Sequence, residues 1–397
     1  DYKTNINLGG DNLSNLYNEN QELFRKYILD CKKVLDALIL SEEEIKQGYY
    51  IYQNLLKANL TDDLISVSDA IKMHRLKMID VKQNHTFRVV EDTKKVCEKI
   101  GVCDEFVTLA KLSALFHDVA RFPQAVTSNT FFDRDCKLFN GLSHAEYGYK
   151  MLYENRMIEN YNIPKEYYYA IALAVFNHQK SNILRIPFNN IDELDPKLLT
   201  GNVSLTNEEF ILISTLVQLI RDVDKIDILY QHLTGDYPVI NPSIKCRVDG
   251  RTLDEICKKY NIDKKIVREY NNLISDDISN LTAINIPSSY VDLYTLIVPD
   301  DIKDSFFKNE NIDLRELQKR DDYTFIIGMW WRLNHFLNDI NFVANLEILK
   351  ESNALDKIYS EFPLRYRFLV TEAFEFAKKE ILDKKIEENK GKVFVKK

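Results

Sequence analysis

Glycine and proline are scarce, 11 and 9 among 397 residues. A turn-rich β architecture leans on both, so their shortage argues against one and for helices joined by fairly short loops. The six cysteines, Cys31, Cys97, Cys103, Cys136, Cys246 and Cys257, include no CxxC pair. That pattern fits a zinc knuckle poorly and suggests free thiols in a reducing, cytoplasmic setting. No run approaches the roughly 20 apolar residues that span a bilayer, so no membrane partner is expected. Positive charge is not in excess either. A formal net charge of −8 argues against a protein that coats a nucleic-acid backbone, while leaving room for a local basic pocket that takes one small phosphate compound.

What is present is ordinary for a soluble globular chain, with 45% hydrophobic and 29% charged residues. The length suggests one large or two modest domains. Residues 1–75 read as an N-terminal helical extension whose polar, Asn-rich first 20 residues are expected to be poorly ordered. Within it Tyr27, Cys31, Val34 and Leu35 fit one helical face, and Tyr49, Tyr52 and Leu56 another. Residues 76–235 form a succession of helices that holds nearly all the chemically informative side chains. Residues 236–320 read as an irregular insertion, broken by Pro238, Pro242, Pro287 and Pro299. The stretch Thr252–Val267 loosely resembles a helix-turn-helix, although two short helices in an insertion are the simpler reading. Residues 321–397 read as amphipathic helices packing on the core, with a Lys/Glu-rich tail fraying from 384. No internal repeat and no useful strand alternation is visible. The expected class is all-α.

His117 and Asp118 end the apolar run Leu109–Phe116, an odd place for two polar, metal-competent side chains. Burying an unpaired carboxylate there would cost several kcal/mol, so a cation is the simplest partner. Three more histidines sit at helix-associated positions. His85 would open a helix with Val89, Val96 and Ile100 on its stripe, yet a histidine there is ordinarily a cap or surface residue. His144 follows Ser143, which with Glu146 makes a capping box, so it lies in a first helical turn. His178 ends a helix on the stripe of Ile171 and Ala174, where it could instead serve as a C-terminal cation. The decisive member is Asp224. Phe210, Ile213, Val217, Ile220, Asp224 and Ile228 recur at spacings of three and four, which sets a carboxylate in an apolar stripe. Asp222, Lys225 and Asp227 point elsewhere around that helix, and a local pairing of Lys225 is the bland alternative.

His85, His117, Asp118 and Asp224 would together hold one divalent metal. Adding His144 and His178 gives enough ligands for a second, with Asp118 as the bridge; with one ion only, those two histidines would instead contact substrate phosphate or protonate the leaving oxygen. Mixed nitrogen and oxygen ligands suit Mn, Fe, Co, Ni, Zn or Mg without choosing among them.

The ordered set His85, His117-Asp118 and Asp224 resembles the HD superfamily of metal-dependent phosphohydrolases. The match extends to Ala114–Phe122, with Arg121 and Phe122 as in a subgroup, to Ser143–Gly148 and to Asn177–Lys180. The resemblance covers roughly residues 75–235 well, and Trp330–Phe362 more loosely looks like a later helix pair of some members. It implies a compact HD-type domain and hydrolysis of a phosphoester in a small, nucleotide-like substrate. The Gly-Tyr-Pro signature of members that cut cyclic dinucleotides is missing, since Gln-Lys-Ser-Asn follows His178. Catalytic expectations fall on Asp118, on His144 and His178, and on Arg121 and Lys225 as neutralisers of phosphate charge, with Lys180 weaker. Asp222 is expected to orient a ligating imidazole. A metal-bound sensor module and a single-strand nuclease are the competing classes; acidic charge and the lack of a phosphate loop count against the nuclease. Spare aromatic residues are compatible with a homo-oligomer, though no residue marks an interface.

Overall fold

The computed structural model describes residues 10–57, 64–180, 207–234, 243–287, 298–320, 325–340, 342–362 and 364–390. Apart from two short strands, the regular elements of the described residues are all helices, in keeping with the low glycine and proline content. None of the described helices is long and apolar enough to cross a membrane.

The first half is a bundle. It comprises α1 (Gly10–Ala37), α2 (Glu42–Lys57), α3 (Val67–Ile100), α4 (Asp104–Phe116), α5 (Arg121–Thr127), α6 (His144–Tyr149), α7 (Tyr168–Asn177) and α8 (Asn207–Thr234). Tyr17, Phe24, Ile28 and Leu35 fall four or seven residues apart, one or two helical turns, and form the buried stripe of α1. Phe24 stands edge-on to Phe116 at 5.5 Å and to Phe122 at 5.7 Å. The Tyr27 hydroxyl donates to the carbonyl of Val119 at 3.1 Å. Helix α1 therefore braces the turn that carries His117 and Asp118, and belongs to the same core as α4 and α7. Nor does a boundary fall near residue 75, because α3 runs unbroken through it from its Ser66 cap to the left-handed Gly101 at φ 70°. The polar start is also helical from Gly10; residues 1–9 lie outside the described residues.

Helix α8 is shared by two cores. Its Leu212, Leu216 and Leu219 pack into the first bundle, while Leu229 joins a second cluster built around Trp330. That second cluster is formed by α11 (Asp300–Phe307), α12 (Leu314–Gln318), α13 (Phe325–Asp339), α14 (Val343–Glu351), α15 (Ala354–Glu361), α16 (Thr371–Phe376) and α17 (Lys384–Asn389). Trp330 Nε1 donates to the Leu369 carbonyl at 2.9 Å, closing the far side. Residues 384–389, expected to fray, continue the helix with Ile386 buried.

Between the two lies a small unit with its own core, β1 (Ser243–Arg247), α9 (Leu253–Tyr260), α10 (Lys264–Tyr270) and β2 (Ala283–Pro287). The strands pair antiparallel, Ser243 opposite Pro287 and Arg247 opposite Ala283. Both short helices are present, but strands enclose them, so the segment is a βααβ unit rather than a helix-turn-helix. The pattern of β2 does alternate, Ile284 and Ile286 facing inward, yet five residues are too few to register as strand periodicity. This unit clasps the 130–135 loop of the bundle: Asp249 pairs with Arg134 at 3.4 Å and Thr282 bonds Asp135.

Candidate metal centre

Four helices, α3, α6, α7 and α8, converge on Asp118 at the end of a fifth, α4. His85 projects from the middle of α3, not from a helix start, and shares a buried face with Val89, Val96 and Ile100. His117 and Asp118 follow directly on the last residue of α4, and His178 on the last residue of α7. His144 opens α6, whose capping box joins Ser143 and Glu146 as the sequence indicates. Asp224 lies on the buried stripe of α8 with Ile213, Val217 and Ile220, although Phe210 at the start of that stripe is exposed. All six side chains are buried.

The carboxylate of Asp118 is divided between two groups. Its Oδ2 lies 3.4 Å from His85 Nε2 and 3.6 Å from His117 Nε2. Its Oδ1 lies 3.4 Å from His144 Nε2 and 3.6 Å from His178 Nε2. Asp224 Oδ1 completes the first group, 3.0 Å from His85 Nε2 and 3.4 Å from His117 Nε2. Within each group the ligand atoms lie within 4.8 Å of one another. Two imidazoles with two carboxylates, and two imidazoles with the shared carboxylate, are donor sets that divalent metals take readily.

The outer nitrogens fix which way each ring faces. His117 Nδ1 bonds the Ala114 carbonyl and His178 Nδ1 the Val175 carbonyl, both at 2.6 Å. Those carbonyls lie in the last turns of α4 and α7, where no intrahelical donor remains, so a histidine just past the helix end finds a ready acceptor. His85 Nδ1 donates to Asp227 Oδ2 at 2.6 Å, and His144 Nδ1 to Asp133 Oδ2 at 2.9 Å. With Nδ1 donating outward, each ring turns its Nε2 inward, and the Nε2 atoms lie 3.1 Å apart in each of the pairs His85–His117 and His144–His178, so that in the neutral tautomer bare lone pairs would face one another. Facing lone pairs at that distance call for a cation between or beside them.

Protons can do part of that work. Burial and the Lys82 ammonium both push the His85 pKa down, but hydrogen bonds to Asp118, Asp224 and Asp227 outweigh them and raise it to about 10. Burial tends to raise the Asp118 and Asp224 carboxyls, yet both are held well below the usual carboxylate range, Asp118 by Lys82 and the surrounding imidazoles and Asp224 by His117 and His85. His144 moves the other way: burial, reinforced by the Arg121 guanidinium, lowers it to about 3. Both carboxylates are therefore anions, and His144 is neutral, at neutral pH.

Among the expected phosphate contacts, Arg121 is at the site. Its Nε lies 3.8 Å from Asp118 Oδ1 and makes no hydrogen bond, while Nη1 is anchored to Asp133 Oδ1 at 2.8 Å. Lys225 instead pairs with Asp339 at 3.1 Å, and Lys180 lies over the Phe176 ring at 3.9 Å. Asp222 does not orient an imidazole. It accepts from the Phe342 backbone N–H at 2.6 Å and from Arg221 at 2.9 Å, tying the C-terminal helices to α8. The orienting role on α8 falls to Asp227, one turn beyond Asp224, which also takes Arg88 Nε at 2.7 Å. Sequence reasoning missed Lys82 as well, whose Nζ lies 2.8 Å from Asp118 Oδ2. Its signal was position: residue 82 is one turn before His85 on the same face. Asp133 carried no such signal, since it lies in a short 3-10 turn outside any periodic segment.

Residues 83–228 match the family model described as the HD domain. No curated protein and no solved structure gives a significant match.

Proposed function

Residues 83–228 form an HD domain, and on that premise we propose that the protein is a metal-dependent phosphohydrolase cleaving a phosphoester in a small, nucleotide-like substrate. The observation that carries this reading is the division of one buried carboxylate, Asp118, between two histidine groups. A metal pair in that arrangement supplies Lewis acidity, lowering the pKa of water towards neutrality and offsetting phosphoryl charge.

The protein's own part is to hold and aim. His85, His117, Asp118 and Asp224 would hold one ion, and Asp118, His144 and His178 the other. Asp227 and Asp133 keep His85 and His144 in the tautomer whose Nε2 faces inward. Arg121, buried and steadied by Asp133, offers its unbonded Nε beside Asp118, where a phosphoryl oxygen could be received. Lys82 neutralises part of the carboxylate charge at 2.8 Å. Asp118 is left as the residue on which both groups depend.

The test is turnover of nucleotides, cyclic nucleotides, cyclic dinucleotides and a generic phosphodiester with added Mn²⁺, beside Asp118→Ala. Hydrolysis by the wild type alone supports the proposal, and the product separates monoester from diester chemistry. Metal bound without turnover on any of these would favour the sensor reading.

A further inference from the structure

Helices α3, α8, α14 and α15 line a cavity of about 630 Å³ that opens to the surface. Its size is that of a small-molecule site. The charges at its mouth are already paired. Lys95 bonds Asp92 at 3.1 Å, Lys99 bonds Glu351 at 2.7 Å, and Arg88 bonds Asp227 at 2.7 Å. A ligand there gains little from carrying a charge. Much of the remaining wall is apolar, including Val96, Val223 and Ile348.

One wall residue breaks the pattern. Asn345 is fully buried, and neither its Oδ1 nor its Nδ2 has a hydrogen-bond partner. Leaving a buried donor or acceptor unmet costs about 1–3 kcal/mol for each group, so a leucine of similar shape would be the more stable choice. A carboxamide beside a cavity answers a ligand edge that carries an acceptor and a donor side by side. The second wall of note is Asp227, which lines the cavity and holds His85 Nδ1 at 2.6 Å.

From this we infer that the cavity binds a neutral, flat heterocycle with adjacent donor and acceptor atoms, the edge of a nucleobase, at Asn345. The side chain turns from its sheltered position to meet that edge. Occupancy is felt at the metal centre because Arg88 and Asp227, both in the cavity wall, set the hold on His85. The coupling is reciprocal, so bound metal must change nucleoside affinity by the factor that nucleoside changes metal affinity. This inference does not rest on the phosphohydrolase reading, since a nucleoside has no phosphoester to cleave.

The experiment is calorimetric titration of the full chain, treated with EDTA, with adenosine, inosine, uridine and cytidine. It is repeated on Asn345→Leu, on Ala354→Trp, which fills the cavity, and on Asp118→Ala. At least one nucleoside is expected to bind the wild type and Asp118→Ala alike, and to bind both cavity variants at least tenfold more weakly. Circular dichroism verifies that each variant is folded, and Asn345→Leu is expected to melt no lower than the wild type. Absence of binding by all four nucleosides overturns the inference. So does binding that survives in folded Asn345→Leu but is lost in Asp118→Ala, which would put the nucleoside at the metal centre. A Mn²⁺ affinity that saturating nucleoside leaves unchanged overturns the coupling.

Discussion

His85 and Asp227 come from helices 142 residues apart in sequence and are joined by a 2.6 Å hydrogen bond, Nδ1 donating to Oδ2. His144 and Asp133 repeat the relationship at 2.9 Å on the other side of Asp118. Each metal group thus has one imidazole held by a carboxylate and one held by a helix-end carbonyl, and each can be weakened separately.

Asp227→Asn should lower affinity at the His85 group about 10- to 100-fold, and Asp133→Asn should do the same at the His144 group. An amide nitrogen can donate to Nδ1, which shifts the proton to Nε2 and spoils the ligand. Metal titration by calorimetry checks this, with circular dichroism to verify folding. Equal loss at both groups from either change would contradict the separate assignment. Asp133→Asn should also free Arg121, whose Nη1 leans on the same carboxylate.

Without metal, stability should depend on pH through His85. Its folded pKa is raised to about 10, whereas an unfolded histidine titrates near 6.5. A raised folded pKa gives a stabilisation that is complete below about pH 6.5 and is lost as pH rises through about 10. The melting temperature of EDTA-treated protein should therefore fall between pH 7 and pH 10. Metal binding at pH 8 should release a proton, seen as a calorimetric heat that varies with buffer ionisation enthalpy. A melting temperature that stays level or rises over that range, or a heat independent of buffer, would contradict the picture.

Gly148 sets how closely α6 approaches the site. A Cβ there would stand 3.0 Å from Val175 Cγ1 and 3.3 Å from Val119 Cγ1, between α7 and the His117–Asp118 turn. Alanine normally gains about 0.5–1 kcal/mol over glycine inside a helix. Overpacking against two branched side chains costs about 1–3 kcal/mol and should win. Gly148→Ala is expected to lower the melting temperature by a few degrees and to weaken metal binding at the His144 group, and Gly148→Val more so. An unchanged or raised melting temperature would show that the neighbours yield.

Much of the site could be read from sequence because its ligands interrupt apolar patterns. Asp224 breaks the stripe of α8 and His117-Asp118 ends the run of α4, and a buried polar group inside a periodic pattern is conspicuous. The supporting residues were less visible for physical reasons. Asp227 shares its helix with six other charged residues, and only packing against α3 singles it out from Asp222. Asp133 sits in a loop held by the βααβ unit, a contact between segments more than a hundred residues apart. The N-terminal region has no chemistry in its sequence that would tell a separate cap from the first helices of the main domain, yet Phe24 and Tyr27 brace the His117–Asp118 turn.

The central claim is that Asp118 serves two ions at once. Metal content per chain, measured after loading with Mn²⁺ and desalting, tests it most directly in the wild type and in folded Asp118→Ala. Two equivalents in the wild type and a loss at both groups in the variant are predicted, together with loss of any phosphoester turnover. A variant that keeps its metal, or keeps its turnover, would contradict the account.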